Sequence, residues 1–122
     1  MAHIFAFEKL EVWKESRKLA SAIYMLTQKY PDSEKYGLVS QMRRASISVC
    51  SNIAEGSSRT TAKDQAIFYQ MSYSGLMELL NQLIISIDLG FIEKDTLTTS
   101  RTEIEKIANM LNAFRKSRLT HP

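Results

Sequence analysis

Residues 65–87, QAIFYQMSYSGLMELLNQLIISI, constrain this chain more than any other stretch, because Glu78 is their only charged residue. The pattern predicts a helix from about Ala62 to Leu89, stopped by Gly90. Its apolar side chains, among them Ile67, Tyr69, Met71, Tyr73, Leu76, Leu79, Leu83 and Ile85, occupy almost the whole circumference. A helix apolar all round needs cover on both sides. A small bundle supplies one side, and a second subunit is the economical source of the other. Gln65, Gln70, Asn81 and Gln82 make the segment too polar for a single membrane span. The opening MAHIFAFEKLEVWKE turns charged after a very short apolar run, so no signal peptide and no membrane anchor are expected.

Three further segments carry helical periodicity. Val12, Ser16, Leu19, Ile23, Leu26 and Tyr30 repeat at spacings of 4, 3, 4, 3 and 4 before Pro31. Asp32 or Ser33 is the expected cap of the next helix, whose inner face is Leu38, Met42, Ala45, Val49 and Ile53. That helix is expected to stop at Gly56 in a left-handed C-terminal position. A polar connection, SSRTTAKD, offers Ser and Thr caps for the third helix. The fourth begins near Asp95 and aligns Ile104, Ile107, Ala108, Leu111 and Phe114. No strand-like alternation interrupts this pattern. With only 4 Gly and 2 Pro in 122 residues, the chain reads as one all-α domain over 1–122. Helices at about 8–30, 33–56, 62–89 and 95–118, joined by short connections, predict an antiparallel up-down four-helix bundle.

The segment RRASISVCSNIAEG, residues 43–56, invites a catalytic reading and does not sustain it. Ser46, Ser48, Cys50 and Ser51 are possible nucleophiles, but each needs a neighbouring base. The only histidines, His3 and His121, stand at the two extremes of the sequence. No Gly-rich phosphate loop, metal-ligand spacing or Glu-x-x-His pair occurs, so neither a cofactor nor a metal nor an enzymatic activity is expected. A single cysteine excludes an intrachain disulfide and is consistent with a reducing cytoplasm. The small residues Ala45, Ser46, Ser48, Ser51, Asn52 and Ala54 instead suit a helix that another helix approaches closely. Arg43 and Arg44 are expected to point off the core, and Asn52, Glu55 and Gly56 to serve structure. Asn52, on a face turned to neighbouring helices, is expected to be buried with its amide satisfied by hydrogen bonds. Glu55, a carboxylate at a helix C-terminus, opposes the macrodipole and so calls for solvent or a cationic partner.

FEKLEVWKESRKLA, YPDSEKYGLVSQMRRASISVCSNIAEG and FYQMSYSGLMELLNQL together resemble the bacterial four-helix-bundle family of 23S rRNA-intervening-sequence proteins. That family is similar to the accessory variability proteins of diversity-generating retroelements. The resemblance spans roughly residues 7 to 115, and Gln41, Arg43, Arg44, Ala45, Ser48, Asn52, Ile53, Ala54, Glu55 and Gly56 match its most specific motif. Cys50 stands where the family often has proline, and Ser74-Gly75 where it usually reads Gly-Ser. The resemblance implies a ring-shaped homopentamer without catalytic activity. Family members lie in ribosomal-RNA insertions or beside reverse transcriptases, which implies RNA or DNA binding, or docking to a partner enzyme.

The net charge of +3 is unevenly placed: +3 over residues 1–60, −2 over 61–90 and +2 over 91–122. So small an excess permits nucleic-acid contact without requiring it. Arg17 and Lys18 share a helix face with Lys14, but Glu11 and Glu15 stand close enough to pair with them. Arg115, Lys116 and Arg118 suit the dipole at the end of the fourth helix. Five copies of Arg43 and Arg44 on one ring, joined by Arg17 and Lys18, would concentrate a basic belt. The expected function is therefore an oligomeric, non-catalytic accessory factor that binds nucleic acid with little sequence preference. A scaffold that docks a partner such as a reverse transcriptase is the alternative.

Overall fold

The computed structural model describes residues 2–120. Four helices carry it: α1, Glu11–Thr27; α2, Leu38–Ser57; α3, Ala62–Asp88; and α4, Lys94–Thr120. Two 3-10 turns, Ala6–Lys9 and Asp32–Glu34, precede α1 and α2, and no strand occurs among the described residues. Cross-helix contacts establish the antiparallel order. Thr27 of α1 meets Arg43 of α2, while Trp13 meets Cys50. Val49 of α2 meets Ser72 of α3, and Gln65 of α3 meets Arg118 of α4. Glu15 of α1 pairs with Lys106 of α4, which closes the bundle.

The core follows the periodic positions. Val12, Leu19 and Ile23 of α1, Met42, Val49 and Ile53 of α2, Leu76, Leu79 and Leu83 of α3, and Ile104, Ile107 and Leu111 of α4 are all buried. Helix ends follow local chemistry less predictably. α1 begins three residues later than its periodicity suggests, because Ala6–Lys9 forms a 3-10 turn and Leu10 is extended. Neither Asp32 nor Ser33 caps α2; Gly37 precedes it, and the Glu34 carboxylate accepts the Leu38 N–H at 3.3 Å. Thr61 does cap α3, its hydroxyl accepting from the Asp64 N–H at 3.1 Å. Asp95 lies inside the first turn of α4 rather than capping it.

Glycine positions correct one expectation and explain the tightest packing. Gly56 is buried within α2 and is not left-handed; a Cβ there would lie 2.9 Å from both Phe68 Cβ and Tyr69 Cε1. Its lack of a side chain lets α3 approach. Gly75 does the same from the other helix, where a Cβ would meet Val49 Cγ2 at 3.2 Å. Beside it, the Ser72 hydroxyl donates to the Val49 carbonyl at 2.7 Å, a cross-helix bond that small residues make possible. Among the described residues Gly90 alone has positive φ, 77°. Its N–H donates to Ile87 O and the Phe91 N–H to Ser86 O, both at 2.9 Å, ending α3 in a Schellman turn.

α3 remains apolar beyond what one protomer covers. Ile67 (50% exposed) and Met71 (47%) form one uncovered patch near its start, with Ile84, Ile85 and Leu89 (55%) near its end. Exposed Ser74, Glu78 and Asn81 separate the two.

Gly56→Ala should test the close approach directly. Overpacking against Phe68 and Tyr69 costs about 1–3 kcal/mol, against at most about 1 kcal/mol gained in helix propensity. The melting temperature followed by circular dichroism should fall by a few degrees, whereas Ser74→Ala on the exposed face should leave it unchanged or slightly higher.

Candidate nucleic-acid interface

The four basic residues singled out by sequence do not gather on one face of a protomer. Successive helical residues diverge by about 100°, so neighbours in sequence point apart. Arg43 is half-buried across the α1–α2 seam. Its Nε donates to Thr27 Oγ1 at 2.9 Å, an NH2 group donates to the Tyr24 carbonyl at 3.3 Å, and its guanidinium lies 4.6 Å from the centre of the Tyr24 ring. Both acceptors also take part in bonds within α1, the Tyr24 carbonyl accepting from the Gln28 N–H and Thr27 donating to the Ile23 carbonyl, so Arg43 ties α2 to the end of α1. The expectation that Arg43 points off the core is corrected accordingly. Arg44 is exposed and borders a polar hollow with Gln41 and Ser48 of α2 and Glu78 of α3. Arg17 and Lys18 line a hollow on α1, Arg17 lying 5.5 Å from the Trp13 ring centre. Lys18 shares the Glu15 carboxylate with Lys106, at 3.7 and 3.5 Å.

The family-like motif divides in two. Ala45, Ile53 and Gly56 are buried, whereas Gln41, Arg44, Ser48, Asn52 and Glu55 form a polar stripe at helical spacing. Asn52 is half-buried, and its amide donates to the Ser48 carbonyl at 2.9 Å and the Ser48 hydroxyl at 3.0 Å. Its amide is thus hydrogen-bonded as expected, with both partners in its own helix, and the side chain is half-buried rather than buried. Glu55 is exposed and has no ion pair among the described residues.

An apolar groove of about 500 Å³ runs between α1 and α2, lined by Trp13, Tyr24, Met25, Ile47, Cys50 and Ala54, with Arg17 at its border. Burial pushes the Cys50 thiol up, although the Arg17 charge opposes the shift. Of the other candidate nucleophiles, Ser46 donates to Arg43 O and Ser48 accepts from Asn52, while Ser51 is exposed with no histidine beside it among the described residues. His3 stacks edge-on against Phe5, and His121 lies outside the described residues. No cluster of three or more metal-ligating side chains occurs among the described residues.

Sequence reading missed a basic corner at one end of the bundle. Up-down topology brings the α2–α3 connection beside the last turns of α4, so Arg59 meets Arg118, while Lys63 in the first turn of α3 and Arg115 and Lys116 near the end of α4 lie at the same end of the bundle. Gln65 links Arg59 to Arg118, its amide donating to the Arg59 carbonyl at 3.0 Å and its oxygen accepting Arg118 Nε at 2.6 Å. The guanidinium of Arg59 lies 4.5 Å from the Phe68 ring centre, that of Arg118 5.7 Å from Phe114, and that of Arg115 5.9 Å from Tyr73. Recognising that Arg59 and Arg118 share one end of an up-down bundle is the available signal in the sequence.

Three outcomes follow from these contacts. Arg43→Ala should lower stability by about 1–2 kcal/mol in thermal melts, as two hydrogen bonds are lost, and Arg43→Lys should not restore it fully because lysine lacks the planar fork. Asn52→Ala should cost less than about 1 kcal/mol, since it removes only intrahelical bonds. Burial also pushes the Tyr30 and Tyr69 phenols up, opposed by Ser86 and by the Arg118 charge respectively. Groups with raised folded-state values contribute stability that is full below their ordinary range and lost as pH rises through the raised one. Melting temperature should therefore be level near neutrality and decline above the ordinary thiol and phenol range.

No helix among the described residues is long and apolar enough to cross a membrane. Among curated proteins nothing matches the chain. The fold is similar to the 1.70 Å crystal structure of a protein of unknown function from the S23 ribosomal protein family of Bacteroides thetaiotaomicron VPI-5482. The TM-score is 0.77 at 18% identity, covering 86% of this chain and 98% of that one. The sequence matches the 23S rRNA-intervening sequence protein family over residues 8–113, spanning all of α1, α2 and α3 and most of α4. With both the helical order and the RRASISVCSNIAEG motif inside that match, the chain belongs to the 23S rRNA-intervening sequence protein family.

Proposed function

We propose that this protein is a non-catalytic cytoplasmic accessory factor that assembles into a ring-shaped homo-oligomer, a pentamer, and binds RNA or DNA with little sequence preference. Exposed cations without acidic partners support the reading most directly. Of the sixteen Lys and Arg residues, only Lys14, Lys18 and Lys106 form ion pairs among the described residues. Arg44 and Arg17 therefore keep guanidinium N–H groups available for phosphate, while Arg43 positions α1 against α2. Guanidinium matches phosphate geometry bidentately. Repetition around a ring multiplies a modest charge per chain into a field that attracts a polyanion. Assembly itself is supported by Ile67, Met71, Ile84, Ile85 and Leu89, which one protomer leaves exposed along α3.

The α1–α2 groove favours a second reading, a scaffold that docks a partner enzyme such as a reverse transcriptase. Its Trp13, Tyr24, Met25 and Ile47 are the residue types on which protein interfaces concentrate their contacts.

Binding of duplex DNA and structured RNA across a salt series separates the two. Phosphate contacts release counterions, so affinity should fall steeply as salt rises. Replacing Arg17 and Arg44 together by Ala should weaken binding and flatten the salt slope without changing the assembly seen by light scattering. No binding near about 50 mM salt would leave the docking scaffold in its place. A soluble monomer at micromolar concentration would remove the ring.

A further inference from the structure

The basic corner at the junction of the α2–α3 connection and the end of α4 is separate from the hollows that carry Arg17 and Arg44. Its cations come from three places in the sequence: Arg59 in the connection, Lys63 at the start of α3, and Arg115, Lys116 and Arg118 in the closing turns of α4. None is ion-paired among the described residues.

Helix electrostatics accounts for only part of the cluster. Cations in the closing turns of α4 face the negative end of its dipole and are stabilised there. Lys63 is the reverse case, since it stands in the first turn of α3 at the positive end of that dipole. Arg59 lies in a connection and answers no helix terminus of its own. Both add positive charge to an end where the cations of α4 already outnumber the neighbouring acids, Glu55 and Asp64.

The arginines are also held in place. Phe68, Phe114 and Tyr73 each carry one guanidinium near their faces, and Gln65 fixes Arg118 through Nε. An aromatic face occupies one side of a guanidinium and leaves its edge donors free. Arg118 retains both terminal NH2 groups. The Arg59 guanidinium donates no hydrogen bond among the described residues, its backbone N–H alone donating, to the Gly56 carbonyl at 3.1 Å. Pre-oriented forks lose less conformational freedom when they bind phosphate. The opposite end of the bundle is richer in acids, Asp32, Glu34, Asp88, Glu93 and Asp95 standing there with Lys29, Lys35, Lys94 and Arg43, whereas Glu55 and Asp64 are the acids beside the α2–α3 connection.

We infer that this corner is a phosphate-backbone site for nucleic acid, contacted chiefly by Arg59, Lys63, Lys116 and Arg118. The inference rests on the nucleic-acid reading given above and adds the end of the bundle as a second phosphate-contact surface beside Arg17 and Arg44. Contacts confined to phosphate carry no base information, which agrees with low sequence preference.

The test compares two triple variants of equal net charge. One is Arg59→Glu, Lys63→Glu, Lys116→Glu; the other, at the acidic end, is Lys29→Glu, Lys35→Glu, Lys94→Glu. A fluorescent duplex and an RNA hairpin are titrated across a salt series, with circular dichroism and light scattering confirming fold and assembly. The corner variant should lose at least tenfold in affinity, and its log–log salt slope should drop by about 2–3 for duplex DNA. The acidic-end variant should lose less and keep its slope. Equal losses in both would attribute the effect to net charge and overturn the site. An unchanged corner variant beside a binding wild type would overturn it too while leaving the nucleic-acid reading intact. A wild type that binds nothing near about 50 mM salt would end both. If the corner variant fails to fold, the same three positions changed to Gln carry the measurement with the same criteria. Competition by polyglutamate as strong as by an oligonucleotide of equal charge would make the corner an acidic-peptide site and defeat the assignment.

Discussion

The close contact between α2 and α3 is the constraint on which the rest of the bundle depends. Gly56 sits near one end of it and Gly75 near its middle, Ser72 donates to the Val49 carbonyl between them, and the contact runs on to Met42 and Ser86. A hydroxyl can reach a carbonyl on another helix only when the backbones are unusually near. That nearness brings Met42, Val49, Leu76 and Leu79 into full burial. Because α3 is gripped so tightly on one side, its remaining apolar residues are divided between α4 and the exterior. The α3 surface that faces outward is thus a consequence of the α2–α3 contact as much as of composition.

The same geometry sorts the charged residues. Arg43 and Arg44 are adjacent in the chain, yet one is drawn to the end of α1 while the other faces a hollow shared with Glu78. Residues remote in sequence converge instead, as Arg59 and Arg118 do through Gln65. The chain's uneven charge therefore becomes a difference between the two ends of the bundle, and electrostatic attraction of a polyanion depends on such local excess rather than on the total. The apolar α1–α2 groove is a separate feature. It offers contact area to another molecule independently of charge, which is why nucleic-acid binding and protein docking make different demands on the same small fold.

Much of the architecture was legible because helical periodicity is a local property. Ile23, Met42, Val49, Leu83 and Leu111 all fall on the inner faces that their spacing indicates. Thr61 and Gly90 also act at the helix ends as their residue types suggest. The start of α2 was misread because a carboxylate from the preceding 3-10 turn, Glu34, does the work expected of Asp32 or Ser33. Gly56 was misread for a related reason: glycine serves both left-handed termini and close approach, and only the position of Tyr69 distinguishes the two.

The candidate site was less legible, since it depends on which side chains meet across helices. Asn52 could be recognised as part of a motif, but not as bonding within its own helix. Arg43 could be recognised as basic, but not as the group that ties α2 to Tyr24 and Thr27 of α1. The sequence by itself determined four helices, their inner faces and the family, because those properties are encoded in residue type and short-range spacing. Tertiary structure alone decided which cations are held and which are free, because a guanidinium's partners are set by the packing of distant turns.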